Sequence, residues 1–448
     1  MSDRLHSLTT RLLDAAKAAG AGAADAVAVD GTSVAIDVRD GKLEQAERSE
    51  GIDIGLRVLV GQRQACVSAS DISDSTITAM AERAVAMARE APEDPYIGLA
   101  DPAQLAQNWD IAALDLHDPS PEPSPATLQG DAQRAEAAAM AVPGISKIDA
   151  AASAYGRRNI HVAASNGFSG GYTRTSHSIS CVAITGDGAG MERDYYGDMR
   201  IHGSDMDSPD YIGAKAAERT LARAGARRPP SGGFPVLFDE RIASSLIGHL
   251  ISAVNGAMIA RGSSWLRDAL GELVLPETLT ITENPLRPRT SGSRPFDAEG
   301  LPSTPRNIVE NGVLQGWTLD LATARQLGLS STGNAGRGTS APPSPGVTNI
   351  ALTQGTQTRE DIIRDIGTGL LVTSMIGSSI NATTGDYSRG ASGFWIENGE
   401  ITYPVNECTI AGNLRDMLKT LRPANDARQH LSRVVPSLLV EGLTLAGN

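Results

Sequence analysis

Three kinds of residue in this chain could do chemistry: seven histidines, three cysteines, and a glycine-rich run near the C-terminus that holds an acid and a base. The histidines are His6, His117, His161, His177, His202, His249 and His430. A zinc hydrolase commonly sets two histidines one helical turn apart so that both rings leave the same face. No two here fall within five residues of each other, so no metal ligands are assigned to this chain. His249 sits in the apolar run Ser244-Ser245-Leu246-Ile247-Gly248-His249-Leu250 with no glutamate beside it, and reads as a packing histidine before a catalytic one. A serine or cysteine nucleophile needs a base in reach and usually an elbow such as GxSxG. Neither Cys408 nor any serine is expected in that setting, Ser153, Ser165 and Ser264 read as turn or strand residues, and no catalytic residue is expected in this chain.

The most unusual run is Thr384-Gly385-Asp386-Tyr387-Ser388-Arg389-Gly390-Ala391-Ser392-Gly393, which leads to an Asn398-Gly399 turn. A structural reading makes Asp386 and Arg389 a buried ion pair steadying a loop. A functional reading makes the run a groove where exposed backbone pairs with an extended peptide, and assigns substrate binding to Asp386, Tyr387, Ser388, Arg389 and Gly390. The glycine clusters 186–190 and 333–338 lack a Walker lysine and read as tight turns.

The elements that must position these residues belong to a chain of 448 residues, long enough for two or three units. Its 52 acidic and 39 basic residues give a net charge of −13, which repels a phosphate backbone and argues against a nucleic-acid partner. Cys66, Cys181 and Cys408 are isolated, which suits a reducing compartment, and the cytoplasm is expected. No apolar run is long enough for a membrane span, and no signal-type core opens the chain.

The expected fold class is α+β: antiparallel sheets with flanking helices in two main parts. An N-terminal domain over 1–227 combines a strand meander with helices, and a C-terminal domain over 233–448 is rich in short strands. Between them Arg227-Arg228-Pro229-Pro230-Ser231-Gly232-Gly233 reads as a linker. In the first part, a helix stopping near Gly20 precedes strands with turns at Asp30-Gly31, Asp40-Gly41 and Gly61. Helices follow over 73–91, 126–140 and 209–224, with a surface connection over 93–125 and a hairpin turn at Tyr155-Gly156-Arg157-Arg158-Asn159. In the second part, a strand over 234–238 feeds an apolar helix over 239–256.

The run from Thr384, continued by Tyr403-Pro404-Val405-Asn406-Glu407-Cys408-Thr409-Ile410-Ala411-Gly412-Asn413-Leu414, closely resembles the signature of the PmbA/TldE branch of the TldD/PmbA peptidase-related family. Supporting stretches are Gly55 to Gly61, Ser165-Asn166-Gly167-Phe168, Pro235 to Asp239 and Ser437 to Leu443. The resemblance implies cytoplasmic work on unfolded or modified peptides as one subunit of a TldD/TldE-type metallopeptidase complex. It also implies that zinc sits on a TldD-type partner, whose helix carries His-Glu-x-x-x-His. Counting back from Arg261-Gly262-Ser263-Ser264, those histidines would fall near Ile247 and Ser252. The alternative is a peptide-binding, chaperone-like homodimer without catalysis. A third reading, an enzyme of another class, would use His249 or the Asp386/Arg389 loop.

Overall fold

The computed structural model describes residues 2–447. Its first half is one six-stranded antiparallel sheet in the order β3-β2-β1-β4-β5-β6. The strands are β1 (Ala23–Arg39), β2 (Lys42–Val60), β3 (Arg63–Ala69), β4 (Ile145–Ala164), β5 (Ser169–Thr185) and β6 (Glu192–Arg200). Helices α1 (Ser2–Ala18), α2 (Asp74–Glu90), α4 (Pro125–Met140) and α5 (Pro209–Leu221) cover one face, while α3 (Ile111–Leu114) is a single turn in the connection after α2. Side chains alternate along a strand, so Ala24, Ala26 and Ala28 meet α1 and α2 while Val34, Ile36 and Val38 meet α4. Local chemistry sets the helix starts. Ser73, Ser124 and Ser208 each accept a backbone N–H of the first turn through the side-chain oxygen.

Two expected turns are absent. Asp30-Gly31 lies inside β1, and Tyr155 to Asn159 lies inside β4, because both segments are paired on each side: Gly31 with Gly51 and Arg158, Gly156 with Ser33 and Ser176. Ladder hydrogen bonds on both flanks outweigh the turn propensity of an isolated glycine. The turns at Asp40-Gly41 and Asn398-Gly399 do form, with positive φ at all four residues.

The second half opens with β7 (Gly232–Phe238), α6 (Glu240–Ala253) and α7 (Gly256–Ala260). Short pieces follow: β8 (Ile281–Glu283), β9 (Arg306–Glu310), β10 (Val313–Leu314), α8 (Leu321–Leu327), β11 (Ala335–Gly336), β12 (Ser344–Pro345) and β13 (Ile350–Leu352). It ends with α9 (Arg359–Ile366), β14 (Gly369–Ile380), β15 (Asp386–Glu397), β16 (Glu400–Asn413), α10 (Leu414–Lys419), β17 (Arg422–Pro423), β18 (Arg433–Val434) and β19 (Leu438–Ala446). Strands run β16-β15-β14-β7-β19, and β16 also pairs with β19, so five strands close into a ring. Within it β7 and β14 are parallel, which the long excursion between them permits. The glycines expected to end the linker, Gly232 and Gly233, are already strand, paired with Leu445 and Thr444.

The halves meet across a polar seam. Asp25 on β1 accepts from Arg57 Nε at 2.7 Å and also from Arg337, and all three side chains are buried. Burial lowers the Arg337 guanidinium to about 10, so it stays charged at neutral pH. Beside them Phe296 stands edge-on to Trp109 and Phe168 at 5.0 Å, and Trp109 lies tilted against Phe168 at 6.0 Å. The 93–125 connection is therefore not simply surface. Ala100, Leu114 and Leu116 are buried, and Arg325 donates to the carbonyls of Tyr96 and Leu99. At Gly55 an added Cβ would lie 2.1 Å from the Thr339 carbonyl, so strand and loop touch backbone to backbone.

Removing the shared carboxylate by Asp25→Ala leaves two buried guanidinium groups facing each other, and is expected to destabilise the fold by about 3–5 kcal/mol in urea unfolding. A second prediction concerns Glu299, whose carboxyl burial and the nearby Asp297 charge push up to about 8. Its folded pKa exceeds its unfolded one, so its stabilising effect is complete below about pH 4.5 and is lost as pH rises through about 8. Glu299→Gln keeps the protonated shape and is expected to flatten the loss of thermal stability between those values.

Candidate functional site

Helix α6 starts at Asp239, whose side chain accepts from Arg241 N, and buries Ala243, Leu246, Ile247, Leu250 and Ile251 against the ring strands. This leaves Ser245 and His249, one turn apart, on a flank of the helix. Both are only partly buried, yet Ser245 Oγ and His249 Nε2 are enclosed and have no hydrogen-bond partner. The His249 ring stands edge-on to Tyr387, with centroids 5.8 Å apart at 74°. Burial, and then the Arg389 charge, lower the imidazole pKa, so the ring is neutral at physiological pH. Tyr387 is buried, donates to Met375 Sδ at 3.3 Å, and is raised to about 12 by burial. Arg389 donates from Nε to the Gly377 carbonyl at 2.8 Å, in the irregular part of the β14–β15 ladder.

His249, Tyr387 and Arg389 therefore gather on one side of β15, whereas Asp386 does not join them. Strand alternation sends residues 387 and 389 one way and 386 and 388 the other. Asp386 is exposed and accepts from Thr384 Oγ1 at 2.6 Å and Asn413 Nδ2 at 3.0 Å; these two hydrogen bonds lower its pKa. The expected buried Asp386–Arg389 ion pair does not form, because the run is a strand rather than a loop. For the same reason its backbone is not open to a peptide: Ser388 faces Ser379 and Ala411, and Gly390 faces Ile376 and Thr409. What these residues can offer a ligand is side chains.

The run's glycines serve strand packing. A Cβ at Gly393 would sit 1.8 Å from the Leu371 carbonyl, and one at Gly390 would sit 2.6 Å from the Ile376 side chain. That isoleucine is 77% exposed. At the positions expected for a partner's zinc histidines, Ile247 is fully buried and Ser252 is exposed, and neither is a zinc ligand. Among the described residues no three His, Cys, Asp or Glu side chains gather as a metal-ligand group. Cys408 is buried, donates from Sγ to the Ala391 carbonyl, and is raised to about 11 by burial, so its thiol is no nucleophile at neutral pH.

One motif escaped the sequence reading. Gly167-Phe168-Ser169-Gly170-Gly171 has the GxSxG spacing, and Ser169 Oγ lies 3.2 Å from His6 Nδ1 and 3.4 Å from His161 Nε2. Thr9 gives its hydroxyl proton to the His6 carbonyl, so it accepts from His161 Nδ1 at 3.0 Å. The bonds then form a closed circuit joining α1 to the sheet. Burial and His6 depress His161 to about 4, which makes it a weak base. Ser169 opens a strand rather than the helix of a nucleophile elbow, and its role is to anchor α1.

The contrast between the two glycines is testable. Gly393→Ala meets backbone and is expected to destabilise the protein by about 3 kcal/mol or more, whereas Gly390→Ala meets chiefly the exposed Ile376 side chain, with its carbonyl 3.2 Å away, and is expected to cost less, about 1–2 kcal/mol, both read by urea unfolding.

Comparison with known proteins agrees with this architecture. Three family models match consecutive stretches: PmbA/TldA metallopeptidase domain 1 over residues 24–88, the central domain over 118–224, and the C-terminal domain over 231–447. Metalloprotease PmbA of Escherichia coli O157:H7 is 37% identical over 93% of this chain and 90% of its own length. The Metalloprotease PmbA homolog of Haemophilus influenzae is 35% identical over 99% of this chain and 96% of its own. A Bacteroides thetaiotaomicron structure described as a modulator of DNA gyrase superposes with a TM-score of 0.91 at 26% identity, covering 99% of this chain and 98% of that one. TldE from Thermococcus kodakarensis shares the fold, with a TM-score of 0.84 at 20% identity, over 98% of this chain and all of its own. With the family models spanning most of its length, the chain belongs to the PmbA/TldD metallopeptidase family.

Proposed function

We propose that this chain is the PmbA/TldE-type subunit of a TldD/TldE-type metallopeptidase complex that acts on unfolded or modified peptides in the cytoplasm. In this reading the zinc resides on a TldD-type partner, and this chain binds and orients substrate. The observation that supports it is the content of α6, which offers a core isoleucine, an exposed serine and one neutral imidazole where a catalytic helix offers ligands and a base. The metal would supply an activated water when held by the partner. Arg389 would hold a substrate carbonyl, with the neutral His249 ring as its neighbour. No described helix is long and apolar enough to cross a membrane.

The test is reconstitution. The purified chain is expected to hold no stoichiometric zinc by elemental analysis and to hydrolyse no peptide alone. Addition of a TldD-type partner should give chelator-sensitive hydrolysis of unfolded peptides, abolished when the partner's motif glutamate is changed to glutamine. Turnover with that inactive partner would place catalysis in this chain, whereas peptide binding without activation of any partner would favour the homodimeric chaperone-like reading. In the same assay Arg389→Ala, which loses one hydrogen bond worth about 1 kcal/mol of stability, should weaken peptide binding about tenfold.

A further inference from the structure

The face of the first-half sheet turned away from the helices carries a feature that this function has not used. Pairing registers place residues of three strands side by side in rows. One row is Gly31, Arg158 and Arg174, the next Ser33, Gly156 and Ser176, and the third Ala35, Ala154 and Ser178. All belong to the set opposite the buried Val34, Ile36, Val38 and Tyr155, so their side chains rise from the face turned away from the helices, further along β1 than Asp25 and Val27, which the second half covers.

Arg158 and Arg174 are direct cross-strand neighbours, an arrangement in which like charges repel. Neither forms an ion pair with a carboxylate among the described residues, although the chain carries a net charge of −13 and pairs many of its other arginines. Arg174 is held by its Nη2, which donates to the carbonyls of Ser291 at 2.7 Å and Ser293 at 3.1 Å, and keeps its remaining donors. The Arg158 stem lies over Gly31, where an added Cβ would come within 3.7 Å of it. Ser33, Ser176 and Ser178 line the same cleft of about 400 Å³ with both arginines and Gly156. With no side chain at Gly156, the cleft has a floor between two serine hydroxyls and beneath two guanidinium groups.

We propose that this cleft binds a carboxylate, the free C-terminus of an extended peptide, bridged by Arg158 and Arg174 and accepting hydrogen bonds from Ser33 and Ser176. A bridging anion turns the unfavourable arginine pair into a favourable one, since a planar guanidinium matches a carboxylate with two parallel hydrogen bonds. The Gly/Ala/Ser floor lets the last residues of the peptide lie close to the sheet without selecting a large side chain, which suits varied unfolded substrates. The peptide source rests on the function proposed above; the oxyanion chemistry does not.

Fluorescence anisotropy of the full chain with one unfolded peptide, prepared as free acid and as C-terminal amide, tests this. The free acid should bind about tenfold more tightly, and Arg158→Ala or Arg174→Ala should abolish that preference while leaving amide binding unchanged. Arg158→Lys should restore part of it. Equal binding of acid and amide, insensitive to both substitutions, overturns the carboxylate site and leaves peptide binding intact. If neither peptide binds, sulfate and phosphate titrations followed by thermal shift decide: stabilisation lost in Arg158→Ala makes the site one for a free oxyanion rather than a peptide end, and no stabilisation overturns it altogether.

Discussion

One carboxylate, Asp25, shared by Arg57 and Arg337 at the bottom of the seam, fixes how the two halves stand relative to each other. Apolar contact alone is non-directional and would let Phe296 slide across Phe168 and Trp109. Arg57 holds the Asp25 carboxylate in place within the first half and Arg337 reaches it from the second, so a displacement that breaks the Arg337 bond leaves a desolvated charge. The seam repeats the device at lower burial. Arg241 reaches Asp194 at 3.2 Å, and Arg289 joins Asp115 at 2.6 Å and Asp205 at 3.0 Å. In the pairs that cross, Arg337, Arg241 and Arg289 come from the second half and their carboxylates from the first, so together they resist both sliding and rotation.

With the halves fixed, the ring of five strands fixes the site. Closure through β16 and β19 leaves those strands little freedom, and the contact at Gly393 holds β14 and β15 at minimum separation. Tyr387 can then act as a buried strut: its ring supports His249, and its hydroxyl is spent on Met375. Arg389, anchored on the Gly377 carbonyl, is the cationic group that remains next to the imidazole. The site is positioned by sheet geometry rather than by a loop, which favours precision over adaptability.

The sequence was legible where structure is local. The helix start at Ser73 and the turns at Asp40-Gly41 and Asn398-Gly399 follow from a side-chain oxygen and positive φ within a few residues. It misled where long-range pairing decides. Gly31 and Gly156 look like turn residues until strands flank them on both sides, and Arg337 looks like part of a glycine-rich turn until Asp25, 312 residues away, receives it. The Asp386–Arg389 pairing failed for a reason the sequence did contain. Residues three apart on a strand face opposite ways, and period-two alternation would have matched Arg389 with Tyr387. The convergence on His249, by contrast, needed the ring to bring α6 to β15.

An unpaired polar atom inside a fold costs about 1–3 kcal/mol, and α6 tolerates two on one flank, Ser245 Oγ and His249 Nε2. Apolar side chains at both positions would remove that cost without disturbing the core, since the residues that pack are 243, 246, 247, 250 and 251. A neutral imidazole is also an unusual neighbour for Arg389, because it can accept a hydrogen bond without repelling the guanidinium as a charged ring would. Burial, and then the Arg389 charge, lower the imidazole pKa and so favour that state. Enclosed polar atoms on α6, a cation anchored on β15 and a buried tyrosine against the His249 ring are the polar groups that the ring of strands brings together.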